Sequence, residues 1–184
     1  MSSIDIGWAM GPIAVTTVWL TADWHLSHFN IIRHCKRPFK TEKDMDTRIM
    51  MNFLSKVREG DTVYFLGDLA WKDAIAELAF QNMPKKIDVH FILGNHDKKC
   101  RKTVIKYCKS VKQTEMVVIE DQQIMLSHYP LQGWGKSHPK TWNLHGHCHG
   151  TFQGNKLQYD VGVDCNNFYP VSFEELKEIM RSKN

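Results

Sequence analysis

The chain has little cysteine, and what it has is not arranged to cross-link or chelate. Its five cysteines stand at positions 35, 100, 108, 148 and 165, an odd number with no C-x-x-C pair. That argues against a disulfide framework and against a structural thiolate zinc site, and leaves reduced thiols in a cytoplasm as the expectation. Long hydrophobic runs are missing too, since no apolar stretch approaches the ~20 residues that span a bilayer. The opening MSSIDIGWAMGPIAV lacks a basic n-region and carries Asp5, so residues 1–15 are expected to be an extension and not an export signal. Repeats, low-complexity tracts and domain linkers are absent as well. At 184 residues the remainder, 16–184, is expected to form one domain with a sizeable core. The net charge of +4 permits an anionic substrate without requiring one.

What is present is a succession of apolar runs that stop at polar residues. TTVWLTAD (16–23), TVYFLGD (62–68) and IDVHFILGNHD (87–97) read as strands. Between them TEKDMDTRIMMNFLSKVREGD (41–61) reads as an amphipathic helix, with Met45, Ile49, Phe53 and Val57 every four residues and Gly60 placed to stop it. DAIAELAFQNM (73–83) reads as a second helix, halted at Pro84. Residues 98–112 carry seven Lys or Arg and no acid. They read as a basic helix with Val104, Cys108 and Val111 on one face, either solvated or near a polyanion. EMVVIEDQQIMLSH (115–128) suggests a hairpin, TWNLHGHCH and KLQYDVGVD further strands. Ser172 with Glu175 three residues on is a capping box for a C-terminal helix. The order predicts an α/β core with an antiparallel, β-rich second half.

The polar residues that end these strands form a set: Asp23, His25, Asp68, Asn95, His96, Asp97, His128, and three histidines at 145, 147 and 149. Carboxylate, amide and imidazole donors together suit manganese, iron, zinc or magnesium. Seven candidate ligands are too many for one catalytic ion with an open position, and about right for two ions sharing a carboxylate, the arrangement that stabilises attacking and leaving oxygens in phosphoryl displacement. LHGHCHG leaves two registers open, the pair His145/His147 or the pair His147/His149. Cys148 is set aside because on an extended backbone it would point away from its neighbours.

In this order D-x-H, G-D, G-N-H-D, H and G-H-x-H resemble the calcineurin-like metallophosphoesterase family, and the last motif matches GHCH at 146–149 best. SHFNIIRHCKRPF (27–39), DTVYFLGD (61–68) and VGVDCNNFYPVSFEEL (161–176) look like a compact bacterial and phage subgroup of it, from about residue 16 onward. The resemblance implies a β-sandwich flanked by helices, in four layers α/β/β/α. It implies two divalent cations, manganese first, with iron, zinc, nickel or magnesium as alternatives. Asp23, His25, Asp68 and His149 would hold one ion, and Asp68, Asn95, His128 and His147 the other. A metal-bridging hydroxide would attack a phosphodiester or phosphomonoester in line, with His96 assisting the leaving group and Asp97 orienting His96. His28, Asn30, Arg33, Arg37 and His145 would lie on the substrate side.

No cap domain is recognisable, so an open site is expected, suited to a nucleotide or a nucleic-acid end. The alternative is a catalytically silent protein-binding scaffold on the same fold, disfavoured because His96 and every ligand are present. Asp164 and Asn166 are expected to support the site. Trp24, Trp71 and Trp134 fall near motif residues, where they either stack on a base or pack in the core or rim.

Overall fold

In the computed structural model residues 16–134 and 140–183 are described; the expected extension over residues 1–15, and His138, lie outside them. The chain runs β1 (Val18–Thr21), α1 (Phe29–His34), α2 (Glu42–Lys56), β2 (Thr62–Phe65), α3 (Asp73–Asn82), β3 (Asp88–Ile92) and α4 (Arg101–Tyr107). It continues β4 (Ser110–Lys112), β5 (Thr114–Ile119), β6 (Gln122–Ser127), β7 (Trp142–His145), β8 (Gln158–Asp160), β9 (Val171–Ser172) and α5 (Phe173–Ser182).

Two sheets result, in the orders β4-β3-β2-β1-β9 and β5-β6-β7-β8. Alternation along each strand builds two cores. Trp19, Val63, Phe65, Val89 and Phe91 face Met45, Ile49 and Phe53 of α2, Phe80 of α3 and Val104 of α4. Their neighbours Leu20, Leu66 and Ile92 point the other way, to Ile124, Leu126 and Leu144 of the second sheet, where Phe173, Leu176 and Met180 of α5 join them. The period of two thus fills both faces of the first sheet, as buried parallel strands require. This is the two-sheet α/β architecture that the resemblance implies.

Parallel pairing places the site. β1, β2, β3 and β4 run parallel, so their carboxyl ends share an edge. β6, β7 and β8 are parallel as well. The expected antiparallel second half therefore holds only for the β5–β6 hairpin and for β9 against β1. Parallel neighbours need a crossover connection and not a hairpin, as between β7 and β8, where residues 146–157 intervene.

Two local expectations need correction, and one segment gains an element. The basic 98–112 segment is a helix only over Arg101–Tyr107, and Val111 lies in β4 beside Phe91, not on a helical face. Gly60 does not cap α2, which ends at Lys56 with Val57 as its cap; it turns the chain toward β2 with φ of +89°. The polar stretch after Asp23 contains the short helix α1, whose Ile31 and Ile32 are buried. By contrast α5 carries the capping box at Ser172 and Glu175.

Phe65 has no exposed surface and sits between Trp24 (ring centroids 5.1 Å apart) and Phe91 (5.0 Å, near-parallel). Phe65→Ala should lower the unfolding free energy by about 3–5 kcal/mol in urea titration, the cost of a large buried aromatic and the void it leaves. A loss below about 1 kcal/mol would contradict this packing.

Candidate metal centre

The carboxyl ends of the two sheets meet through backbone and side-chain hydrogen bonds. Asp23 N–H donates to Gly67 O (2.9 Å) and His25 N–H to Asp68 O (2.9 Å), zipping the loops after β1 and β2 together. His147 N–H donates to Asp23 Oδ2 (2.8 Å), and Val163 N–H to Ala22 O (3.1 Å), which ties the second sheet to the first. Gly146 and Gly162 are needed here. A Cβ on either would lie 2.6–2.7 Å from Asp23 Oδ2, which nothing but hydrogen leaves room for.

These loops hold residues in a backbone conformation that side chains rarely adopt. Asp23, His25, Asp68, His147 and His149 all have φ between +47° and +68°. Each such residue costs of order 1 kcal/mol or more and persists only where its surroundings dictate it. The turn also removes the reason for setting Cys148 aside, since 147–149 is not extended. Cys148 nonetheless belongs to none of the ligand groups among the described residues.

Two such groups lie at the sheet ends: Asp23, His25 and His149, and Asp68, His128 and His147, each offering donor atoms within 4.8 Å of one another. A third, Cys35, His149 and Asp164, borders the first through the shared histidine. Asn95 joins the second group, its Oδ1 3.0 Å from His128 Nε2. Asp68 Oδ2 stands 3.4 Å from both His25 Nε2 and His128 Nε2, so one carboxylate spans the two groups.

The donors fit divalent cations. Asp23 Oδ1 and His25 Nε2 are buried without a hydrogen-bond partner, an arrangement that costs several kcal/mol unless a cation or water satisfies it. Burial pushes the Asp23 carboxyl up to about 7, only partly offset by His149 and His128. Burial holds His25 well below the usual imidazole range, keeping it neutral for a metal. Asp68 is also buried, but the hydrogen bond and charge of His128 outweigh that and bring it down to about 2.

Outer contacts fix the imidazoles. His128 Nδ1–H donates to Leu66 O (2.7 Å), which leaves Nε2 to face Asp68. His149 Nδ1–H donates to Asp164 Oδ2 (2.7 Å). Asp164 in turn receives Arg37 through Nε (2.8 Å) and Nη2 (2.7 Å), and burial notwithstanding it falls to about 2 between these cations. A hydrogen-bonded partner of this kind sets the tautomer and direction of a ligating histidine.

Several expected roles change. Arg37 is 4% exposed, and its guanidinium also holds Asp23 O, Trp24 O and Met45 Sδ, so it braces the loop and offers nothing to a substrate. Asp97 does not reach the imidazole of His96. Its carboxylate accepts Asp68 N–H, Gly94 N–H and Leu69 N–H, joining the GD and GNHD turns. His145 is 1% exposed, with Nδ1 on Gly146 O and its ring near Phe152, and is in neither group, so it has no face for a substrate. His28 stacks on Trp71, while Asn30 and Arg33 are exposed on α1. His96 is part-exposed, held by its N–H to Asp68 Oδ1 (2.9 Å), with its ring 5.2 Å from that of His25. Trp24 is core, between Phe53 and Phe65, and Trp134 hydrogen-bonds Thr141 O.

Sequence reasoning missed Cys35 beside His149, and Asp160, whose carboxylate accepts Gly150 and Gly162 N–H. The short D-V-G-V-D spacing of Asp160 and Asp164 was the available signal.

A profile for the calcineurin-like phosphoesterases matches residues 16–181. The chain is 29% identical to the uncharacterised protein MJ1445 of Methanocaldococcus jannaschii, over 91% of this chain and 93% of that one. Its fold is similar to the crystal structure of AQ665 from Aquifex aeolicus, a protein of unknown function, with TM-score 0.73 at 22% identity, over 90% of this chain and all of the other.

Asp164→Asn should weaken one of two divalent-ion binding steps about 10- to 100-fold while leaving the other and the far-ultraviolet dichroism unchanged, as read by calorimetric titration. Equal weakening of both steps, or of neither, would sink that assignment. Without a cation, the Asp68 and Asp164 contacts outweigh burial and raise His128 to about 9 and His149 to about 10, so both carry protons at pH 7. Cation binding at pH 7 should therefore release more than one proton, and affinity should climb as pH rises toward 9. Binding enthalpies in buffers of different ionisation heat measure the release, and independence from the buffer would refute it.

Proposed function

This chain belongs to the calcineurin-like phosphoesterase family, and we propose that it hydrolyses phosphate esters at a centre of two divalent cations. Asp23, His25, Asp68 and His149 hold one cation in this reading, and Asp68, Asn95, His128 and His147 the other. The observation that supports it best is the pair of buried donors without hydrogen bonds, Asp23 Oδ1 and His25 Nε2, beside a carboxylate shared by two histidine-bearing groups. Mixed oxygen and nitrogen donors accept manganese, iron, zinc, nickel or magnesium, and the family resemblance puts manganese first.

Two cations would supply charge to the phosphoryl oxygens and make water a nucleophile at neutral pH. The protein does the rest. Asp97, Gly94 and Asp68 lock the two turns so that His96 is presented at the open rim, where its imidazole contacts the phosphate and protonates the departing oxygen. The exposure of Asn95 and Arg33 supports an open site that admits a diester, a nucleotide or a nucleic-acid end. Five free thiols fit a reducing compartment, the cytoplasm in this proposal. Among the described residues no helix is long and apolar enough to cross a membrane.

Metal-free protein reconstituted with manganese should cleave bis-p-nitrophenyl phosphate faster than p-nitrophenyl phosphate, and His96→Ala should cut kcat about 100- to 10,000-fold with metal stoichiometry retained. Monoester cleavage alone would redirect the reading to a phosphatase. Two bound metals with neither ester cleaved would overturn it in favour of a binding scaffold.

A further inference from the structure

Partly exposed aromatic rings border the centre. Among the described residues, the aromatic side chains exposed by a third or more are Phe29, Trp71, Tyr129, Phe152 and Tyr169. The first four follow His28, Asp68, His128 and His149 by one to three positions. Of these, Trp71 lies against His28 and His96, and Tyr129 against His128 and His147, so two exposed rings border the site.

Trp71 is the best placed. One face of its indole lies on the His28 imidazole, 4.2 Å away and 13° from parallel, and its ring is 5.4 Å from that of His96. His96 in turn neighbours His25. The indole is still 37% exposed, and Trp71 N–H to Leu26 O (2.9 Å) fixes its backbone. The Lys99 ammonium stands over the indole ring, 5.1 Å from its centroid. On the opposite flank Tyr129 packs edge-on against His147 (4.5 Å) and leaves almost half its surface to solvent.

An aromatic ring backed on one face, a flexible cation over it that a base would displace toward its own anion, and a phosphate-binding centre one histidine away match three parts of one molecule: a planar base, an anionic backbone and a phosphoryl group. We infer that Trp71, backed by His28, is the stacking platform for the nucleobase of a nucleoside phosphate, with Lys99 holding the adjoining anion. The substrate is either a free nucleotide or the terminal residue of a strand, and both present the same chemistry to Trp71. A hydrophobic peptide would have no use for the cation. A sugar phosphate without a base would leave the indole uncovered. This deepens the phosphoesterase reading, whose reaction it assumes, but base stacking can be measured without turnover.

The probes are the phosphonate isosteres of AMP and of ribose 5-phosphate, neither of which can be hydrolysed, titrated calorimetrically into manganese-loaded protein. The adenosine compound should bind about 5- to 100-fold more tightly, the range that stacking of one base confers. Trp71→Ala should abolish that preference and Trp71→Phe should retain most of it, with dichroism and metal content unchanged in both. Equal binding of the two phosphonates, binding of neither, or a preference that survives Trp71→Ala would overturn the inference. Preference lost in Trp71→Ala alongside absent ester hydrolysis would uphold the platform and sink the hydrolase. The sources separate in a last arm. A 5′-phosphorylated oligoadenylate that binds more tightly than AMP, with affinity falling steeply in salt, identifies a strand end; equal affinity identifies a free nucleotide. Either result requires the Trp71 dependence.

Discussion

Everything at the sheet ends is arranged around one buried carboxylate. Asp23 has no exposed surface, accepts His147 N–H through one oxygen, and has its other oxygen without a hydrogen bond. Such a group is tolerable only as a neutral acid or beside a cation. Its burial follows from β1 running central in the first sheet, and its direction from a left-handed turn that Gly67 O and the glycines 146 and 162 hold in place. Five candidate donors are held in positive-φ turns, and Asp23 among them is a buried carboxyl that a cation would satisfy.

Around that carboxylate the protein separates buried, braced side chains from accessible ones. Arg37, Asp97, Asp160 and Asp164 are spent on backbone N–H groups, carbonyls and one another, and none of these acids is left facing solvent alone. His28, His96 and Tyr129 remain at the rim with room around them. Two rigid sheets whose carboxyl ends converge explain why this division works: the strands fix Cα positions, and the outer carboxylates fix the rings.

How much of this could be read beforehand depended on range. α2, α3 and α5 showed themselves through spacing and caps, because helix signals are local. β1, β2 and β3 were legible because apolar runs stop at Asp and Asn. The split of residues 98–112 was hidden, since seven cations mask the apolar period of a seven-residue helix and a three-residue strand. The parallel pairing of β6, β7 and β8 was hidden because direction is set by connections and not by composition. At the site, the motif residues converge as two groups, but the motif could not tell a reacting side chain from a bracing one. Arg37 reads as an anion binder in any string of letters. Only its 4% exposure and its contacts to residues up to 127 positions away reveal a brace. The partners of Asp97 are hidden for the same reason, being backbone groups that a sequence does not display.

The donors come from the ends of five strands, from Asp23 to His149, with bracing contacts as far as Asp164. Few of these pairs are near neighbours in the chain, so nothing resembling the centre exists until both sheets have closed on each other. A nascent or partly folded chain therefore presents no high-affinity trap for whichever cation is thermodynamically greediest. Ion choice is deferred to the finished protein, where the spacing of braced imidazoles and the availability of ions in the surrounding compartment, and not raw affinity, make the selection.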